Sequence, residues 1–355
     1  MTCLTIRPKH HREDSMRLLT ELLRCVKCHA PLEHVATVDT NAFDCLQCAC
    51  RYPIIDGIPR FVSEEFVCRD ERNDELARKT KNYFGFEWDH FRDWGFLPDT
   101  PSGANRSVDP NTSGGTISDR RRAFQSKCRL NGEDLGPDKV VLDAGCGNGR
   151  YTHEAAIRGP RLVIGVDLGY GAVTSARDNT HQHDNVVIIQ ADLHDLPFRD
   201  EVIDSCFSNG VLMHTGDAAR AFGEVARTIR TGGVFVAHVY QKLHAMWEHN
   251  DQRIREFTTK LSIEDGLEFA RLMAQLARFL DRFEGVLPRA NDFLRLQVTE
   301  HHMFDWYSAP TASHHTHAEV AKWFDAHAFT LLDELPARAD QPTGEWACNL
   351  KGRKR

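Results

Sequence analysis

The stretch Val140-Val-Leu-Asp-Ala-Gly-Cys-Gly-Asn-Gly-Arg-Tyr151 runs a β-rich apolar segment through Asp143 into three closely spaced glycines, Gly145, Gly147 and Gly149. Such a run reads as a buried strand that turns sharply into a helix. Glycine tolerates the tight backbone and lets a ligand approach it closely. The first turn of the following helix presents backbone N–H groups with no partner in the helix. The spacing is D-x-G-x-G-x-G. A dinucleotide fingerprint, G-x-G-x-x-G, would place its third glycine one residue later. The spacing therefore speaks against a nicotinamide-dependent oxidoreductase.

Outward from this turn the pattern repeats. KVVLDAG (139–145), LVIGVDL (162–168), VVIIQADL (186–193), VIDSCFSNGVLM (202–213) and GGVFVAHVY (232–240) alternate with helical stretches. Continuous apolar runs of this kind are parallel strands buried on both faces, with helices packed on either side. The expected fold class is therefore α/β, a Rossmann-like doubly wound sheet. Asp167 closes the second run and Asp192 the third. Ligands of open α/β sheets bind at the C-terminal ends of the strands. A carboxylate at Asp167 can accept from two ribose hydroxyls, and one at Asp192 from an exocyclic amine. The three aspartates are expected to point into one crevice.

Elsewhere the alternation breaks. Residues 241–305 are charged and helix-compatible and read as a helical insertion, a lid or wall of a substrate site. A last helix (317–327) and two strands (329–335 and 345–351) complete the domain. The expected division is a disordered or short helical start (1–20), a cysteine ribbon (21–62), an aromatic helical connector and loop (63–118) and a catalytic domain (119–355). The connector carries Tyr83-Phe-Gly-Phe-Glu-Trp88.

Asp143–Gly149, Asp167, Asp192-Leu193, the segment 203–214 and Ala226-Arg-Thr-Ile-Arg-Thr-Gly-Gly-Val234 resemble class I S-adenosylmethionine (SAM)-dependent methyltransferases, closest to the group that includes quinone-biosynthesis enzymes. The resemblance implies SAM as cofactor. Gly145, Gly147 and Gly149 would line its methionine portion and Asp143 would position its amino group. Asp167 with Leu168 would hold the ribose, and Asp192 with Leu193 the adenine. Ser208 and Asn209 would lie beside the methionine end. Segments like YFGFEW occur in methyltransferases that carry a cysteine ribbon; here the segment could close over SAM or the acceptor, or pack the ribbon against the main domain.

Cys25-x-x-Cys28, sixteen residues, then Cys45-x-x-Cys48 is the spacing of a four-thiolate zinc site. A segment this short buries too little apolar surface to fold alone, and binding of structural zinc supplies ~10–16 kcal/mol. Cys25 to Val62 also resembles the zinc-ribbon activator subunit of tRNA and release-factor methyltransferases, fused here in cis. That resemblance implies a structural Zn2+.

If the acceptor is a hydroxyl, methyl transfer benefits from a general base. His214, after the fourth strand, is the first candidate, and His238 the second. The histidines at 301, 302, 314, 315 and 317 could supply a base or a second metal site, or His317 could cap the last helix.

The formal net charge of −7 gives no field that would attract nucleic acid. The closing Lys351, Arg353, Lys354 and Arg355 read as a solvated tail. The chain has no Asn-Pro-Pro-Tyr after the fourth strand and no Pro-Cys nucleophile, which disfavours methylation of bases. A small-molecule acceptor, methylated on oxygen, nitrogen or carbon, is the leading expectation. A tRNA or protein substrate, with the ribbon as activator, and a non-enzymatic SAM-binding protein are the alternatives. No apolar run approaches the ~18 residues of a membrane span. The expected location is the cytoplasm. The pattern specifies no oligomeric state.

Overall fold

A computed structural model describes residues 10–38, 40–62, 71–99, 115–341, 343 and 345–355. The expected disordered start, up to residue 9, and most of the connecting loop, 100–114, lie outside the described residues. The chain opens with α1 (His10–Leu22) and a small sheet of β1 (Glu33–Ala36), β2 (Asn41–Asp44), β3 (Arg51–Ile55) and β4 (Ile58–Pro59). Then come α2 (Glu71–His90) and α3 (Ile117–Ala123). The α/β units follow: β5 (Val140–Ala144), α4 (Arg150–Ala156), β6 (Leu162–Asp167), α5 (Tyr170–Thr180), β7 (Val186–Gln190), β8 (Ile203–Asn209), α6 (Ala218–Thr228) and β9 (Ile229–Tyr240). Four helices interrupt, α7 (Ala245–Thr258), α8 (Ile263–Leu280), α9 (Val286–Ala290) and α10 (Glu300–Ser308). The chain ends with α11 (His317–Ala326), β10 (Phe329–Leu331) and β11 (Ala347–Lys354).

The large sheet has the order β10-β11-β9-β8-β5-β6-β7. Strands β5 to β9 are parallel, and β11 runs antiparallel to both of its neighbours. Every residue of β5 is buried, Asp143 included, and its other four residues are apolar, as expected of a strand covered on both faces. Chain order reverses beside β5, where β6 lies on one side and β8 on the other. A crevice opens at that switch point, outside the strand ends.

The basic ending is not a solvated tail. It forms β11, an inner strand, so its side chains alternate between the two faces. Lys351 is buried and its Nζ lies 2.8 Å from Asp134 Oδ2. Lys354 Nζ donates to the carbonyls of Ala226 and Ile229. Thr316, not His317, caps α11: its hydroxyl accepts from Glu319 N, and Glu319 returns a bond to Thr316 N. The pattern Thr-x-x-Glu carried that signal.

The cysteine ribbon docks on the free edge of the large sheet. Phe61 N donates to Gln190 O at 2.8 Å, so the chain leaving β4 extends the sheet past β7. Arg24 N bonds Pro197 O and Arg199 N bonds Leu22 O. Leu23, Val26, Phe43, Tyr52 and Phe61 share one apolar core with β5, β6 and β7. The ribbon thus covers an edge that would otherwise expose unpaired backbone groups. Ile58, at the tip, is fully buried against Cys146 of the glycine turn and Val173 and Ala176 of α5.

Candidate active site

The glycine turn leaves β5 with its backbone tied to the neighbouring strand: Gly145 N and Cys146 N both donate to Val166 O. Asp167, at the tip of β6, holds the turn from the other side. Its Oδ2 accepts from Gly147 N and its Oδ1 from Gly169 N, both at 2.9 Å. A carboxylate has about four lone-pair sites, so each oxygen keeps capacity for one ligand hydroxyl. Burial raises the Asp167 carboxyl above its ordinary range, against the pull of these backbone donors.

Asp192, after β7, is engaged by a partner that the spacing of acids did not reveal. Its Oδ1 accepts from His194 N at 2.8 Å and lies 3.2 Å from His194 Nδ1. Burial works to raise the Asp192 carboxyl, but the adjoining imidazole outweighs it and holds the carboxyl low.

One cleft, about 910 Å3 counting its open mouth, gathers many of these groups. Gly145, Gly147, Asp167, Leu168, Asp192, Leu193 and Asn209 all line it. Three expected residues do not. Asp143 lies beneath the turn, where its Oδ2 accepts from Thr152 Oγ1 at 2.7 Å and burial pushes its carboxyl up to about 7. Gly149 starts α4 and packs on Ala176 of α5. Ser208 turns its hydroxyl inward, to Ala144 O at 2.8 Å. Strand-tip position alone does not tell which side chains open outward, because the glycine turn covers the tip of β5.

The other walls come from far away in sequence. Helix α2 lies across α5, and its Thr80, Phe84 and Trp88 line the cleft. Trp88 sits directly over Gly147, where a Cβ would come within 2.7 Å of the indole. Arg150, the first residue of α4, is buried, with its guanidinium 5.0 Å from the Trp88 ring centre and 4.8 Å from that of Tyr151. Its Nη1 has no hydrogen-bond partner among the described residues, and neither does Asn209 Oδ1. Two buried polar groups without partners on the rim of one cleft are chemically poised for a ligand. Arg150 directly follows the third glycine, and the D-x-G-x-G-x-G spacing carries no signal for it.

His214 lines the same cleft, 2% exposed. Its Nδ1 lies 2.6 Å from Thr311 O. A carbonyl only accepts, so Nδ1 carries the proton and Nε2 keeps the lone pair. Nε2 has no partner among the described residues. Burial lowers the His214 pKa, so the ring stays neutral. Phe84 and Tyr240 flank it, with ring centres at 5.1 and 5.4 Å. Asp305, from α10, completes this end; its Oδ2 accepts from Tyr240 Oη at 2.9 Å.

The remaining histidines have other neighbours. His238 is not on the cleft, and burial lowers its pKa to about 3. His301 is buried 3.2 Å from Glu87 Oε1, out of line for a hydrogen bond. His314 Nδ1 lies 2.7 Å from Glu248. They form no metal cluster among the described residues. There the only converging set of three or more candidate ligands is Cys25, Cys28, Cys45 and Cys48, whose sulfurs lie within 4.8 Å of one another. Four thiolates at ~2.3 Å from a tetrahedral Zn2+ would stand at comparable separations.

Residues 142–237 match the family described as a methyltransferase domain. A malonyl-[acyl-carrier protein] O-methyltransferase of Yersinia pestis is 27% identical over 170 residues, 46% of this chain and 62% of that protein. An "uncharacterized 37.1 kDa protein in transposon TN4556" of Streptomyces fradiae is 35% identical over 120 residues, 33% of this chain and 34% of that one. The matched stretch spans less than two thirds of either relative's length. A crystal structure of magnesium protoporphyrin IX methyltransferase from Synechocystis PCC 6803 with bound SAM aligns at a TM-score of 0.45, with 14% identity, over 81% of this chain and 100% of that one. The family match and the strand order together identify a class I SAM-dependent methyltransferase domain in this chain. No helix among the described residues is long and apolar enough to cross a membrane.

Proposed function

We propose that this protein transfers a methyl group from SAM to a small molecule through a hydroxyl or amine, with His214 as general base. One observation carries the reading: strand-tip acids Asp167 and Asp192 open onto the same cleft as a buried, neutral His214 whose Nε2 has no partner among the described residues. When bound, SAM supplies an electrophilic methyl on a sulfonium. The two spare acceptor sites of Asp167 suit the ribose hydroxyls, and Asp192 with Leu193 suits the adenine. Arg150 Nη1, Asn209 Oδ1 and the turn at Gly145 and Gly147 suit the methionine carboxylate and amine, beneath Trp88. Asp143 and Ser208 act behind the turn, holding its shape.

The cleft continues past these groups to Thr80, His214 and Asp305, which favours catalysis over simple retention of the cofactor. His214 Nε2 would take the proton that the acceptor oxygen or nitrogen loses on bonding to the methyl, with the cofactor's sulfur leaving in line as a neutral thioether. The Asp305 carboxylate orients a hydroxyl or amine and repels an anion. Phe84 and Trp88 exclude water, and positioning supplies most of the rate. In the ribbon, the four thiolates suit one structural Zn2+, with Tyr52 Oη 3.0 Å from Cys25 Sγ as an outer partner.

The test is a screen of phenols, amines and carboxylates with methyl-labelled SAM, read by mass spectrometry of the products. A methylated phenol or amine that needs His214 supports the reading. Exclusive methylation of carboxylates, or calorimetry showing no SAM binding, would refute it. Metal analysis should find about one zinc per chain, lost when Cys45 and Cys48 are both replaced by Ser; full zinc in that variant removes the ribbon site.

A further inference from the structure

Residues Phe124–Cys128 form a single π-helical turn that continues α3. The turn lies on β8 and β9, and Phe124 meets Phe207 edge-on, with ring centres 5.7 Å apart. Val234 and Val236 of β9 share that core. Side chains two residues apart on a strand face the same way. Asn209, two beyond Phe207, and His238, two beyond Val236, therefore emerge on the face that the turn covers. Asn209 pairs with His238, and His238 with Asn349 of β11, so the three form one row across the sheet. Asn349 Nδ2 donates to Ser126 O at 3.0 Å, which fastens the turn over the row's far end.

The row is polar and incompletely bonded. Asn209 Oδ1, His238 Nδ1 and Asn349 Oδ1 are buried without hydrogen-bond partners among the described residues, as is Arg150 Nη1. Buried polar atoms left open in one place mark where a ligand completes the bonding. Lys127 follows Ser126 in the turn and acts on His238. It forms no ion pair or side-chain hydrogen bond among the described residues. Partial burial, then the Arg150 and Arg295 guanidiniums, push its ammonium down to about 8. Asp305 pulls the other way, but its Oδ2 is already engaged by Tyr240. Arg295 is wedged against Trp306 and Trp346, 4.9 and 4.1 Å from their ring centres. Like charges gathered in a partly desolvated place repel one another and favour an anion between them. SAM does not restore the balance: its carboxylate is offset by its ammonium, and the sulfonium leaves a net positive charge. Arg150 lines the cleft and suits that carboxylate, whereas Lys127 stands off the cleft, along the row that starts at Asn209.

We propose that the acceptor carries a carboxylate, separate from the hydroxyl or amine that is methylated, and that Lys127 binds it beside His238. The proposal rests on the small-molecule reading above and narrows it to hydroxy and amino acids. The row runs inward from Asn209 on the cleft to His238 over one strand spacing, ~4.8 Å. A lysine ammonium is a compact point charge. One such charge beside neutral groups balances a carboxylate better than a dianionic phosphate. Asp305 disfavours an anion at the methylated end, so the acceptor's charged group turns away from it, toward Lys127.

Calorimetry on the full chain saturated with S-adenosylhomocysteine, the demethylated cofactor, compares 3- and 4-hydroxybenzoate, 4-hydroxyphenylacetate and 4-aminobenzoate with their carboxamides. The acids should bind ~10-fold or more tightly than the amides, the scale of one charge-assisted bond. Lys127→Met should erase that preference and leave affinity for the demethylated cofactor within about twofold of the parent's. Lys127→Arg should retain most of the preference. Equal affinities for acids and amides, or no binding of any acid, overturn the proposal. A preference that survives in Lys127→Met puts the anion elsewhere and also overturns it. If Lys127→Met instead loses the demethylated cofactor while its circular dichroism is unchanged, Lys127 serves the cofactor's own carboxylate and the proposal falls. Absence of cofactor binding by the parent chain refutes the underlying reading itself, so the two failures are distinguishable.

Discussion

The two ends of the cleft are built by different means. At the proposed cofactor end, Gly145, Gly147, Asp167, Asp192 and Asn209 come from consecutive βα units, and backbone bonds such as Gly147 N to Asp167 fix them in place. At the proposed acceptor end, Phe84, His214 and Asp305 come from α2, the segment after β8 and α10, with Tyr240 of β9 behind Asp305. A bond linking α2 to α10 there, Tyr83 Oη to Phe304 O at 2.8 Å, spans 221 residues of chain. The first end is rigid because the sheet makes it so. The second depends on side chains packing over long separations, and such a wall can change its acceptor without disturbing the cofactor. Affinity for SAM and choice of acceptor should therefore respond to different substitutions.

The largest expected effect attacks the rigid end. At Gly145, φ is +95° and a Cβ would lie 2.3 Å from Val211 Cγ2. Gly145→Val should abolish measurable SAM binding by calorimetry while zinc content stays at one per chain. Retained affinity would mean that the turn does not shape the site.

His214→Asn probes the other end. Turnover should fall by ~10²-fold or more, with the SAM dissociation constant within about twofold of the parent's. Burial lowers the His214 pKa. The protonated, inactive form should therefore accumulate only below the usual histidine value of about 6.5. The rate should be flat from that pH toward neutrality and drop on the acid side, and the variant should lack that acid limb. An unchanged pH–rate profile in the variant would remove the base.

Asp167→Ala should weaken SAM by ~10–100-fold, the ~1.4–3 kcal/mol of a charge-assisted bond. If acceptor KM moved instead, the division between the two ends would be misplaced. The smallest effect belongs to Tyr240→Phe, which frees Asp305 Oδ2 from its 2.9 Å bond. Acceptor KM should rise ~2–10-fold, while SAM affinity holds in calorimetry; a matching loss in SAM affinity would show that the two ends are coupled.

Much of the proposed cofactor end could be read from residues alone. Asp167 and Asp192 follow apolar runs, and the glycines follow Asp143 at short range. The two C-x-x-C pairs were equally plain, since turn spacing brings each pair together. Arg150 and His194 were missed, although each lies within two residues of a recognised group. Asp143 and Ser208 were placed on the cleft by position, yet their side chains turn to Thr152 and Ala144. Thr80 and Asp305 carried no local signal at all.

Periodicity and spacing by themselves determined the α/β class, the glycine turn, the acids at the strand tips and the cysteine set, because each is a pattern over a few residues that backbone geometry enforces. Only the tertiary structure decided that the ribbon caps the sheet edge, that the basic ending is an inner strand, that Thr311 sets the His214 tautomer and that Asp305 faces the cleft. Those facts depend on contacts between distant segments, whose partners are selected by packing and burial rather than by neighbours in the chain.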